Sequence, residues 1–182
     1  MKARRVEGLE PDAALADNAE RIVRVRLDEL CAFMPTADDP AEVVALHDMR
    51  IAAKRLRYIL EVTGSCFGPY AGTATKLVKD LQDLLGEIHD CDEQIPATAA
   101  FAERLLAEDA EALRELAGAA ADLDPALLKQ APHARDHAGV AALVAHLRGR
   151  RLLLFDGFLA LWEDYDRKGF RARLEYAVGE RR

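Results

Sequence analysis

His47, Arg50, Lys54 and Arg57 stand at i, i+3, i+7 and i+10. In an α-helix, at roughly 100° per residue, that spacing gathers all four side chains within about 80° of one another. Met49, Ala52, Leu56, Ile59, Leu60 and Thr63 fall on the opposite side, so the stretch reads as an amphipathic helix whose polar stripe is cationic. Like charges three and four residues apart repel by roughly a few tenths of a kcal/mol per pair. Only Glu61 supplies a carboxylate on that line, at its far end. The chemistry implied is charge neutralisation of an anion. Guanidinium forks take oxygens in pairs and keep their charge, lysine adds a mobile point charge, and histidine adds one that depends on pH. Donors repeating at about 5–6 Å per turn suit an extended, repeating anion better than a single small one.

A second strip repeats the spacing: Lys79, Gln82, Gly86 and His89, beside an apolar side of Leu77, Val78, Leu81, Leu84, Leu85 and Ile88. Asp80, Asp83, Glu87 and Asp90 fall outward as a solvated face. Glycine inside a helix costs about 1 kcal/mol relative to alanine, so Gly86 marks a close approach by a neighbouring helix or a ligand. Arg26 lies within the stripe Leu15, Ala19, Ile22, Leu30 and Phe33, and Arg151 within Val140, Val144, Leu147, Leu154 and Phe158, with Arg148 one turn earlier. A buried guanidinium must meet a carboxylate, a carbonyl or an anionic ligand. Internal pairing, snorkelling of the long side chain to the bundle's rim, or a shared anion pocket accounts for these arginines.

The elements that must position these residues are helices, because strand-like alternation is absent and the composition is rich in Ala, Leu, Arg and Glu. Breakers and periodicity predict helices over about 11–34 (ending at Pro35), 40–64, 70–94 (stopping before Pro96), 97–118, 138–163 and 170–178. A short helix is expected near 125–130, inside an irregular segment 119–136. Short connections predict an all-α, antiparallel helical bundle forming one domain over 1–182.

The chain of 182 residues carries 25 Lys+Arg against 32 Asp+Glu, a net charge of −7. An acidic chain argues against a dedicated nucleic-acid binder, and the cationic row lacks interleaved aromatics for base stacking, Tyr58 excepted. No apolar run approaches the roughly 18 residues of a membrane span. The basic start Met1-Lys2-Ala3-Arg4-Arg5 leads into acidic sequence rather than an apolar segment, so a secretory signal is not expected. Three widely spaced cysteines, Cys31, Cys66 and Cys91, without a CxxC, fit reduced thiols in the cytoplasm. His133, His137 and His146 are scattered and read as surface or core-edge residues.

The segments Leu46-His47-Asp48-Met49-Arg50 running into Lys54-Arg55-Leu56-Arg57-Tyr58, and Leu81-Gln82-Asp83-Leu84-Leu85-Gly86-Glu87-Ile88-His89-Asp90, resemble the CHAD family, the conserved-histidine α-helical domains. The pattern H-x-x-R-x-x-x-[KR]-R-L-R is the more specific of the two. The resemblance is strongest over 40–95. It implies a helical bundle whose basic surface binds inorganic polyphosphate, without a cofactor or a metal. Carried across, the binding set is His47, Arg50, Lys54, Arg55 and Arg57, followed by Lys79 and His89. Arg26, Arg148 and Arg151 rest on the stripe argument. Arg55 points about 120° away from the stripe centre and suits a rim or salt-bridge role. His89 stands where many family members have arginine. The family unit has two similar lobes, while this chain has one copy of the first motif, so a homodimer is expected to rebuild a longer basic surface. Association with polyphosphate granules fits the same expectation.

Two other readings stay open. A helical adaptor could receive an acidic protein partner in the basic groove. An HD-type metal phosphohydrolase could draw on His47-Asp48 and His89-Asp90-Cys91-Asp92, with a divalent metal activating water. No nucleophile, base and oxyanion stabiliser come together in the sequence, so the expectation is a binding protein rather than an enzyme.

Overall fold

The computed structural model describes residues 2–180; Met1, Arg181 and Arg182, which the domain read over 1–182 includes, lie outside the described residues. Within that range the elements are helical: α1 (Leu15–Cys31), α2 (Met34–Ala37), α3 (Val43–Thr63), α4 (Tyr70–Ala117), α5 (His137–Arg167) and α6 (Phe170–Gly179). Short 3-10 turns cover Gly64–Cys66 and Pro125–Gln130. The all-α bundle expected from composition is present. No described helix is long and apolar enough to cross a membrane.

Some boundaries differ from the sequence expectation. The first helix ends at Cys31, and Pro35 opens the short α2 rather than terminating α1; proline fits a first turn because its missing N–H has no partner there anyway. The helices expected on either side of Pro96 form one helix of 48 residues, with Pro96 inside it. Proline removes one backbone donor and crowds the carbonyl four residues back. The flanking Ala-, Leu- and Glu-rich turns hold the helix through that defect. Gly118 (φ 57°) closes α4 as expected, while α5 runs past the expected 163 to Arg167 before Gly169 (φ 68°) turns the chain, both glycines being left-handed. Gly169 donates its N–H to the Asp166 carbonyl at 2.9 Å. Asp124 caps the turn at 125–130 by accepting from the Ala126 N–H at 2.9 Å.

The chain divides into two compact units, 1–89 with 153–182, and 90–152. In the first, α1 packs on α3 and α6, and α2 on α3. Its core is one cluster that includes Leu27, Leu30, Met49, Leu56, Leu60, Leu81, Leu85, Ile88, Phe158 and Leu174. The apolar sides expected for α3 and α4 are the buried ones. On α1 the buried line runs through Ala19, Val23, Leu27 and Leu30, and Leu15 is exposed, which puts Arg26 at the edge of the core rather than within it. Tyr165 donates its hydroxyl to the Leu77 carbonyl at 2.9 Å, fastening α5 to α4.

In the second unit the buried side chains include Cys91, Leu105, Asp109, Leu113, Leu147 and Arg151. Its buried charges are paired. Arg151 Nε donates to Asp92 Oδ1 at 2.8 Å, and Asp109 is met by two histidines described below.

Pro96 is exposed, so replacing it forfeits no buried packing. Pro96→Ala restores a helical donor and is expected to stabilise the chain by up to about 3 kcal/mol, read as a higher urea midpoint.

Candidate anion-binding strip

Helices α3 and α4 bring the two strips together in reverse order. The His47 and His89 rings lie 4.9 Å apart at 50°. Arg50 Nε sits 3.4 Å from where a Cβ on Gly86 would stand. The charge of Arg57 is felt by Lys79. These three pairings run along α3 as they run back along α4, so the helices are antiparallel and the same register sets Lys54 opposite Gln82. The close approach marked by Gly86 is that of a guanidinium, not of a helix backbone. On the other sides of the two helices Asp80, Asp83, Glu87 and Asp90 are exposed, as their spacing predicted.

The cations differ in how they are held. Arg50 and Lys54 meet no carboxylate among the described residues. The Arg50 Nε is buried without a hydrogen-bond acceptor, and Gln82 Oε1 is buried without a donor; each such group costs about 1–3 kcal/mol. Arg57 Nε lies 3.3 Å from Glu61 Oε1 but lacks hydrogen-bond alignment with it. Tyr58 braces the row, with the Arg57 guanidinium 4.8 Å and the Lys54 ammonium 5.7 Å from its ring centre. Lys79 donates to Asp83 Oδ2 at 2.5 Å. That hydrogen bond holds the lysine above its ordinary range, with Arg57 working against it. His47 Nδ1 lies 3.4 Å from Asp48 Oδ1. Arg55, off the strip by its angle, is half-buried.

The remaining predicted residues lie elsewhere. Arg26 pairs with Glu29, which is buried, and donates to the Arg4 carbonyl at 2.8 Å; the Arg4 N–H also donates to Glu29. Internal pairing therefore accounts for Arg26. It accounts for Arg151 as well, through Asp92, in the second unit. Arg148 is exposed on that unit and meets no carboxylate there. Among the described residues no group of three or more His, Cys, Asp or Glu side chains stands where it could hold a metal. Asp92, required by the metal reading, is engaged by Arg151. Burial, above all, pushes the Cys31 thiol up to about 11, and Cys91 is buried with Arg150 Nη1 3.4 Å from its sulfur.

His133 and His137 are half-buried, as a core-edge placement requires, but sequence reasoning missed that they meet around one acidic pair. His137 Nε2 lies 2.7 Å from Asp109 Oδ2, the His133 backbone N–H donates to Asp109 Oδ1 at 2.9 Å, and His133 Nε2 lies 2.8 Å from Glu108 Oε2. His133 Nδ1 is 3.5 Å from Asp136 Oδ2. Two histidines four apart and the acidic pair Glu108-Asp109 are the visible signal. Joining them requires knowing that the chain returns along α4.

The family described as CHAD domain matches the chain over residues 2–98. No curated protein and no solved structure matches it. The matched region contains both strips, Arg26 and its partners.

Burial raises the Asp109 carboxyl, but His137 and the His133 N–H outweigh it and hold it below its ordinary 3.8. Its stabilising contribution is present above 3.8 and fades as pH falls through the depressed value. The Glu108 hydrogen bond chiefly holds His133 above its ordinary 6.5, so that contribution is complete below 6.5 and fades as pH rises through the raised value. The protection factor of the His133 amide in hydrogen exchange is expected to be greatest between these limits and to fall on both sides. Gly86→Ala is expected to stabilise the chain by up to about 1 kcal/mol in urea unfolding, because the new methyl meets only the flexible Arg50 side chain, at ordinary contact distance.

Proposed function

The chain belongs to the CHAD domain family, and from that premise we propose that the α3–α4 strip binds inorganic polyphosphate or a closely related polyanion, without catalysing a reaction on it. The observation that carries the reading is Arg50. Its guanidinium lies over Gly86, with a buried Nε that has no acceptor in the protein and no carboxylate to neutralise its charge. A bound phosphate supplies the missing counter-charge.

The neighbours extend that point into a row. His47 and His89 flank it at one end, Lys54 follows, and Arg57 with Lys79 closes the other. From His47 to Arg57 the row is about 15 Å long at 1.5 Å per residue, enough for several consecutive phosphates. Arg57 and Lys79 already hold Glu61 and Asp83, and a polyanion competes with those exposed carboxylates at little cost, since surface ion pairs contribute about 0–1 kcal/mol. Binding by charge neutralisation weakens as salt rises, because exposed charges are screened within about 10 Å at 0.1 M ionic strength.

The test is calorimetric titration with long-chain polyphosphate at two salt concentrations, with single-stranded DNA as the comparison. Polyphosphate is expected to bind more tightly than DNA and to lose affinity at the higher salt. The double variant Arg50→Ala, Arg57→Ala is expected to lose at least tenfold in affinity, since each charge-assisted hydrogen bond is worth about 1.5–3 kcal/mol, while remaining folded. Arg26→Gln is expected to leave affinity unchanged and lower stability, because it strands Glu29. Unaltered affinity in the double variant moves the site away from this strip, and equal affinity for DNA replaces the polyphosphate reading.

A further inference from the structure

We propose that the second unit carries a separate binding site for a small amphipathic organic anion, an aromatic or alkyl carboxylate, in the cavity between Phe101 of α4 and Val140 of α5. The cavity has a volume of about 710 Å³, against about 350 Å³ for the neighbouring one lined by Leu106, Asp109 and Leu128. Ligand sites in proteins commonly span about 300–1,000 Å³ and combine an apolar lining with a few polar groups. Every residue lining this cavity lies beyond residue 98, where the family match ends, so the polyanion strip does not account for it.

The apolar part is Phe101, Leu105, Gly139 and Val140. Phe101 is 42% exposed and presents its ring to the cavity's opening as one of its lining residues. The Arg104 guanidinium lies over its ring, 5.3 Å from the centre, so the cavity's apolar lining carries a cation beside it. Gly139 adds no side chain, and nothing lies within 4 Å of where its Cβ would be, so the cavity is open at that point.

The charged part selects the sign of the ligand. Glu108 and Asp136 also line the cavity, but both are turned to His133, at 2.8 Å and 3.5 Å. Arg104 and Arg135 meet no carboxylate among the described residues. With His133 protonated, three positive groups face two negative ones, and a single negative charge on the ligand makes the set neutral. The ligand's carboxylate is placed at the two arginines, where paired guanidinium donors suit it, and its apolar body against Phe101, Leu105 and Val140.

Titration with 2-naphthoate, followed by calorimetry at pH 6, tests the assignment, with 2-naphthylmethylammonium as the cationic comparison. One 2-naphthoate per chain is expected to bind, and the ammonium is expected to bind at least tenfold more weakly. Arg104→Gln with Arg135→Gln is expected to cut 2-naphthoate affinity at least tenfold while the thermal unfolding midpoint stays unchanged, since both side chains are exposed. Phe101→Ala is expected to weaken binding with the charges intact. Equal binding of the cation, retention of affinity in the double arginine variant, or no binding up to millimolar 2-naphthoate overturns the proposal. None of these outcomes bears on polyphosphate binding at the α3–α4 strip.

Discussion

Two helices that set cationic strips side by side stay together because the same helices bury apolar seams on their other sides. Met49, Leu56 and Leu60 of α3 and Leu81, Leu85 and Ile88 of α4 are each at most 1% exposed. Burying one such side chain contributes about 1.5–3 kcal/mol, whereas a like-charge contact on a helix surface costs roughly a few tenths. The seam therefore outweighs the repulsion several-fold. The antiparallel register of that seam sets Arg50 beside Gly86 and Arg57 toward Lys79.

The same residue type serves two purposes in this chain, and its partner decides which. Arg26 and Arg151 are closed off by Glu29 and Asp92, carboxylates that are themselves buried or nearly so. Removing either partner leaves a charge stranded in a poorly solvated place, which makes these arginines part of the scaffold. Arg50 and Lys54 meet no carboxylate among the described residues. Arg57 and Lys79 are intermediate, paired with the exposed carboxylates of Glu61 and Asp83.

Much of this was legible in the sequence. The 3.6-residue period that separates apolar from cationic positions on α3 and α4 needs no tertiary information, and the motifs around His47 and Gly86 carried the family. What the period alone could not supply was register. That Arg50 would lie over Gly86, and His47 against His89, depends on how α4 returns past α3. Arg26 was misplaced by a related error: its stripe was drawn through Leu15 and Ile22, while the core selects Val23 and Leu27, one position further round the helix. Glu29, three residues on from Arg26, was the available clue. Pro96 misled for another reason, because a local breaker was weighed without the many helix-forming residues on both sides of it. The Asp109 cluster joins residues about 25 positions apart, and no periodicity reports on contacts of that separation.

Gly86 shows how far the strip shapes the scaffold. An alanine there would favour the helix by about 1 kcal/mol, and its methyl would meet the core nowhere, only the Arg50 guanidinium. A position whose cheapest improvement touches a single charged side chain is not explained by packing of the core. Gly86 is the point on α4 that the arginine of α3 approaches: the Arg50 Nε stands 3.4 Å from the missing Cβ and is itself buried. The apolar seam beneath it, at about 1.5–3 kcal/mol per buried side chain, outweighs the roughly 1 kcal/mol that the glycine costs the helix.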